Sequence, residues 1–141
     1  MGFQLAGSTL SGGRYARDMF SPVPLEVEVD GRCLPQSDFR IILGCTVEDI
    51  SMGCRATPRA YERKGAFHLL ACSLSPMEIV GQMPKLWMGK DLTHPGVHFS
   101  EPAEKVTIRN PEGPLRWMLD GERLTDDALT LRVWGEVELI W

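Results

Sequence analysis

The dipeptide Asp-Gly stands twice in this chain, at Asp30-Gly31 and Asp120-Gly121, and each time it ends an apolar stretch of strand length. Before the first pair, Leu25, Val27 and Val29 alternate with Glu26, Glu28 and Asp30. That period of two puts the apolar set on one face of a strand. Asp-Gly tolerates the positive φ that a two-residue hairpin turn demands. A chain that reverses this way builds antiparallel sheet. Val29 to Leu34 also echoes Leu119 to Leu124, which we read as two hairpins using one turn chemistry.

Further strands are expected over residues 39–47, 105–109, 115–119, 129–134 and 137–141, with Gly135-Glu136 as another turn. The apolar run 66–74 has the character of a central, buried strand. Residues 48–65, punctuated by Gly53, Pro58 and Gly65, read as irregular. One helix is expected after Ser75. Ser75 caps it, Pro76 suits its first turn, and Glu78 reaches back to complete a capping box. Ile79, Val80, Met83, Leu86 and Trp87 then form an apolar stripe, Pro84 should kink or thin the helix, and Gly89 should end it. Met77, Met83, Trp87 and Met88 are read as core, although such soft side chains also suit a lipid chain or a partner. The fold class is therefore mainly β, an antiparallel β-sandwich with one short α-helix. Residues 1–24 form a loose lead-in with a short helix around 14–20, and residues 25–141 form the sandwich.

Composition removes several functions. The 141 residues suit one domain, and a net charge of −4 with scattered Lys and Arg argues against a nucleic-acid partner. Cys33, Cys45, Cys54 and Cys72 lack the two-residue spacing of a zinc knuckle or redox motif, and are read as reduced, half-buried apolar residues of a cytosolic protein. The start of the chain reads as neither a signal peptide nor a myristoylation site, and no apolar run has the length of a membrane span.

Few motifs carry chemistry. The run Gly7 to Gly13 lacks the Lys-Ser/Thr of a phosphate loop and reads as a flexible terminus. His94 and His98 have the spacing of zinc ligands on a helix, but Pro95 and Gly96 between them favour a turn with incidental histidines. Asp120 and Glu122 flank a glycine at a strand tip. Such a pair is either a solvated turn or a base beside a positioning or metal-binding carboxylate, as phosphoryl transfer to a hydroxyl requires.

The order Pro58-x-Ala60, Leu86-x-x-Gly89-Lys90, His94-Pro95-Gly96-Val97, Val106-Thr107-Ile108 and Leu119-Asp120-Gly121-Glu122 resembles the C-terminal domain of the diacylglycerol kinase, sphingosine kinase and bacterial lipid kinase superfamily. The resemblance spans about residues 25–141. It implies a β-sandwich that closes a cleft against a nucleotide-binding domain, supplied in cis or in trans and not visible in this sequence. A lipid with a free hydroxyl enters that cleft and receives the γ-phosphoryl group of ATP, with Mg2+ as the metal. By the resemblance Asp120 matches the catalytic base and Glu122 its acidic neighbour, and the chain alone should be inactive. It also leaves room for peripheral contact at the inner membrane face. Where the family often carries Asp-Gly-x-Leu-Asp, this chain has Lys64-Gly65-Ala66-Phe67-His68, which exchanges two metal-binding carboxylates for Lys and His. An Asn-rich strand end of the family reads Gly44-Cys45 here. The rival reading is a stand-alone lipid-binding or interaction module without catalysis.

Overall fold

The computed structural model describes residues 21–135. The glycine-serine run, the helix expected at 14–20, the strand expected at 137–141 and Glu136 of the last turn lie outside the described residues. Alternation along β2 (Glu26–Val29) does what its pattern requires: Val27 and Val29 are buried while Glu26 and Glu28 are exposed. β2 pairs on one side with β3 (Arg32–Cys33) and on the other with β8 (Lys105–Arg109), and β8 pairs in turn with β11 (Ala128–Arg132). Every pair in this four-stranded sheet is antiparallel.

A second antiparallel sheet places β6 (Phe67–Cys72) between β5 (Ile41–Cys45) and β7 (Val97–Ala103). Phe67, Leu69 and Ala71 of β6 meet Val27, Val29, Val106 and Ile108 of the first sheet in one core. Two sheets sharing a core make the expected sandwich. Leu69 is fully buried, and each large apolar side chain so placed contributes about 1.5–3 kcal/mol by leaving water.

The other face of β6 is covered too. Helix α1 (Pro76–Trp87) packs Leu86 and Met83 onto Leu70, with Ala56 of the irregular segment beside them. Covered on both sides, all six residues of β6 are buried, which explains why this strand reads as an apolar run with His68 as its one polar member. The capping box forms as expected: the Ser75 side chain accepts from the Glu78 N–H, and the Glu78 carboxylate accepts from the Ser75 N–H at 2.7 Å. The helix runs on through Pro84 to Trp87, and Gly89, at φ 63°, follows its end.

Several expectations need correction. The strand expected at 39–47 is two strands, β4 (Asp38–Phe39) and β5, separated at Arg40, whose N–H donates to the Cys72 carbonyl at 2.9 Å. β4 pairs with β1 (Val23–Pro24). Strand β7 escaped the sequence reading because Pro102 argues against a strand, yet β7 lies at the edge of its sheet, where proline is tolerated. Strand β10 (Glu122–Asp126) escaped it because Glu-Arg-Leu-Thr-Asp carries a single large apolar residue. It pairs with β9 (Leu115–Leu119) as a two-stranded ribbon. Met83 belongs to the core as expected, but Met77, Val80 and Trp87 of α1 and its C-cap Met88 are exposed, so Val80 and Trp87 leave the expected apolar stripe. Cys33 is exposed rather than half-buried.

Candidate functional site

Asp120 and Gly121 form the two-residue turn of the β9–β10 ribbon, with φ of 47° and 90°, and Leu119 pairs across it with Glu122. The tip is therefore a hairpin turn of the kind Asp-Gly favours. Asp120, Gly121 and Glu122 are all exposed. Among the described residues neither carboxylate has a hydrogen-bond or ion-pair partner. The ribbon beneath them is anchored. Leu115 is buried in the sandwich core, and the indole N–H of Trp117 donates to the Asp126 carboxylate at 2.8 Å. The structure thus brings the two sequence-predicted acids together at one tip, in solvent, with no wall enclosing them among the described residues.

An apolar cavity of about 230 Å3 lies elsewhere, between α1 and the outer face of the second sheet. Ile41 and Leu43 of β5, Leu70 of β6, and Ile79, Met83 and Leu86 of α1 line it, together with Ile50 and Cys54 from the segment read as irregular. Engineered apolar cavities of roughly 150 Å3 stay dry and take up benzene. This one is larger. The Gln82 side chain also borders it, and its Oε1 is buried without a hydrogen-bond partner. The sequence signal for the helical wall was present in the Ile79, Met83, Leu86 stripe. The signal for Ile50 and Cys54 was absent, since neither belongs to a periodic segment.

The histidines separate. The His94 Nδ1 accepts from the Gly96 N–H at 3.0 Å, closing the Pro-Gly turn, while His98 stands in β7 with its Nε2 at 2.8 Å from Ser73 Oγ. Ser73 Oγ donates its proton to the Asp38 carbonyl, so the His98 Nε2–H donates to Ser73. That polarity is the reverse of what an activated serine needs. Among the described residues no cluster of three or more His, Cys, Asp or Glu side chains is arranged to hold a metal ion.

Residues 14–138 match the family described as the YegS C-terminal NAD kinase beta sandwich-like domain. The chain belongs to this family. It lies within the diacylglycerol kinase-like superfamily that the sequence resembles, and membership makes the chain a kinase-associated C-terminal domain with a companion catalytic domain. No curated protein matches the chain.

Within this YegS-type domain the magnesium ion implied by the lipid kinase resemblance does not fit the residues present. Where a family carboxylate would stand, the His68 ring is fully buried and both its nitrogens are engaged. The Arg59 N–H donates to Nδ1 at 3.1 Å, so Nδ1 carries no proton, and Nε2–H donates to Ser100 Oγ at 3.0 Å. Burial, outweighing the pull of Asp91, pushes the His68 pKa down and keeps the ring neutral. A cation here would have to displace two hydrogen bonds, and neither Lys64 nor His68 offers it a carboxylate. His68 acts instead as a staple, tying the segment before β6 to β7. Among the described residues, no helix is long and apolar enough to cross a membrane.

Proposed function

We propose that this domain is the substrate-side half of a diacylglycerol kinase-like lipid kinase that transfers phosphate from ATP to a lipid hydroxyl. ATP, held by the companion nucleotide-binding domain in cis or in trans, supplies the phosphoryl group. The Asp120 carboxylate takes the proton of the lipid hydroxyl as its oxygen bonds to the γ-phosphorus and ADP departs. Glu122, across the turn, helps position the hydroxyl. The reading rests above all on Asp120. In a chain of a kinase family, it is a carboxylate at the end of an anchored ribbon with no structural partner among the described residues. The apolar cavity behind α1 supports a lipid acceptor, since its lining residues would take hydrocarbon rather than a sugar or a peptide.

The test is phosphate transfer from ATP to hydroxyl-bearing lipids in detergent micelles by a protein carrying both domains. A phosphoester product on diacylglycerol or a related lipid is expected. Hydrolysis of ATP without transfer to any hydroxyl lipid would contradict the reading.

A second reading, a lipid-binding module without catalysis, draws on a different observation. Met77, Trp87 and Met88 on the outer side of α1 are 60%, 59% and 56% exposed, a large apolar surface for solvent to cover. The two readings share the cavity and part at Asp120, which the module does not need.

A further inference from the structure

The β9–β10 ribbon is two-sided in a way the kinase reading leaves unused. Met118 pairs directly with Arg123, and Arg116 with Thr125, so these four side chains share one face. All four are exposed. The acids of the ribbon's strands, Glu122 and Asp126, belong to the opposite face, where Asp126 is bonded to Trp117. Arg116 and Arg123 stand at diagonal cross-strand positions, their Cβ atoms about 7–8 Å apart, which is within joint reach of one small anion. Among the described residues neither guanidinium has a carboxylate partner. Two like charges so placed on one face repel each other. An open concavity of about 480 Å3 borders the ribbon, lined by these residues and also by Trp117 and Leu124 of the other face. Asp120 continues the strand two residues beyond Met118.

We infer that Arg116 and Arg123 form an anion subsite for a phosphate-bearing ligand, with the Thr125 hydroxyl as a third donor. Guanidinium groups present planar forks of N–H donors that match phosphate oxygens, and a phosphate between them removes their mutual repulsion. The phosphate is either the polyphosphate of a nucleotide or the headgroup of a lipid, and only that choice rests on the kinase reading. Binding itself is a property of this chain. The subsite stands near the tip that bears Asp120, so a phosphate held there approaches the group that would deprotonate an acceptor.

Two probes distinguish the sources. Sodium tripolyphosphate is titrated into the 15N-labelled chain at low ionic strength, and vesicles with and without phosphatidic acid are tested by cosedimentation. The expected result is saturable movement of the Arg116 and Arg123 side-chain N–H resonances, with affinity falling about tenfold for each Arg→Gln substitution. Tripolyphosphate binding assigns the subsite to a nucleotide. Binding that requires phosphatidic acid and ignores tripolyphosphate assigns it to a headgroup. The Arg116→Lys and Arg123→Lys variants keep the charge and lose the fork, so they should bind with intermediate affinity. Both arginines are exposed, and circular dichroism should show native spectra for all variants. Equal binding of either probe by the wild type and the doubly substituted Gln chain, or no binding of both, would overturn the inference. Neither outcome would touch the kinase reading, which is judged by turnover in the two-domain protein.

Discussion

Asp30-Gly31 and Asp120-Gly121 are the same turn put to different uses. Asp30 and Asp120 share a φ of 47°, and the glycines follow at 82° and 90°. Yet the Asp30 carboxylate is committed. Its Oδ1 accepts from the N–H groups of Glu104 and Lys105 at 3.0 and 2.8 Å, and its own N–H donates to the Lys105 carbonyl. Asp30 thus locks the β2–β3 hairpin to the β7–β8 connection, more than seventy residues along the chain. Asp120 makes no such bond among the described residues. A dipeptide that satisfies the backbone leaves the carboxylate to be assigned by its surroundings. Where the surroundings supply donors it is structural, and where they supply none it is available for chemistry.

Substitution separates the two turns. Asp120→Asn in the two-domain enzyme should lower kcat by about 10^2–10^4-fold, the usual share of a general base, while the domain's Tm stays put. Asp30→Ala should do the opposite, costing about 3 kcal/mol of stability through two lost charge-assisted bonds, each at the low end of the range because they are exposed, and sparing kcat. Chemical denaturation of the isolated domain measures it.

His68 extends the contrast to a buried group wholly spent on structure. Its folded pKa lies below the unfolded value of about 6.5, so the unfolded chain binds the extra proton first. The stability His68 contributes is present above that value and is lost as pH falls toward the depressed folded pKa. The loss should be no steeper than about 1.4 kcal/mol per pH unit. His68→Gln should flatten the slope in that window, and Mg2+ should not shift the Tm of the wild-type domain. Last, Gly31→Ala and Gly121→Ala should each cost about 1 kcal/mol. Both glycines have positive φ and open space where a Cβ would go, so the penalty is conformational and should be equal at the two turns. A much larger cost at either would show that the turns are not equivalent.

Much of this fold was legible because its signals are local. Alternation along β2, the capping box at Ser75 and the two Asp-Gly turns each depend on residues close in sequence. Strand β6 was legible for a related reason, as being covered on both faces leaves an apolar run that only His68 interrupts. Strands β7 and β10 were not, since Pro102 obeys an edge-strand allowance visible only from the sheet, and β10 takes its order from pairing with β9. The helix misled in a telling way. Ile79, Met83 and Leu86 face inward as their spacing requires, but Met77, Val80, Trp87 and Met88 are apolar and exposed, because hydrophobicity names no partner. The sequence marked the pair Asp120 and Glu122 at the candidate site, and Lys64 and His68 where the resemblance implies carboxylates. It could not show that Asp120 is unpartnered while Asp30 is bonded, because the donors to Asp30 come from a distant stretch of chain. Nor did it mark Arg116 and Arg123 as neighbours, which follows from the register of two strands.

The most direct test is to measure the rate of phosphate transfer by Asp120→Asn and Asp30→Asn side by side in the two-domain enzyme, together with their Tm values. Asp120→Asn should lose at least about a hundredfold in rate with unchanged Tm. Asp30→Asn should keep near-normal turnover with a lowered Tm. Undiminished transfer by a folded Asp120→Asn enzyme would contradict a catalytic Asp120 and would make both hairpins structural.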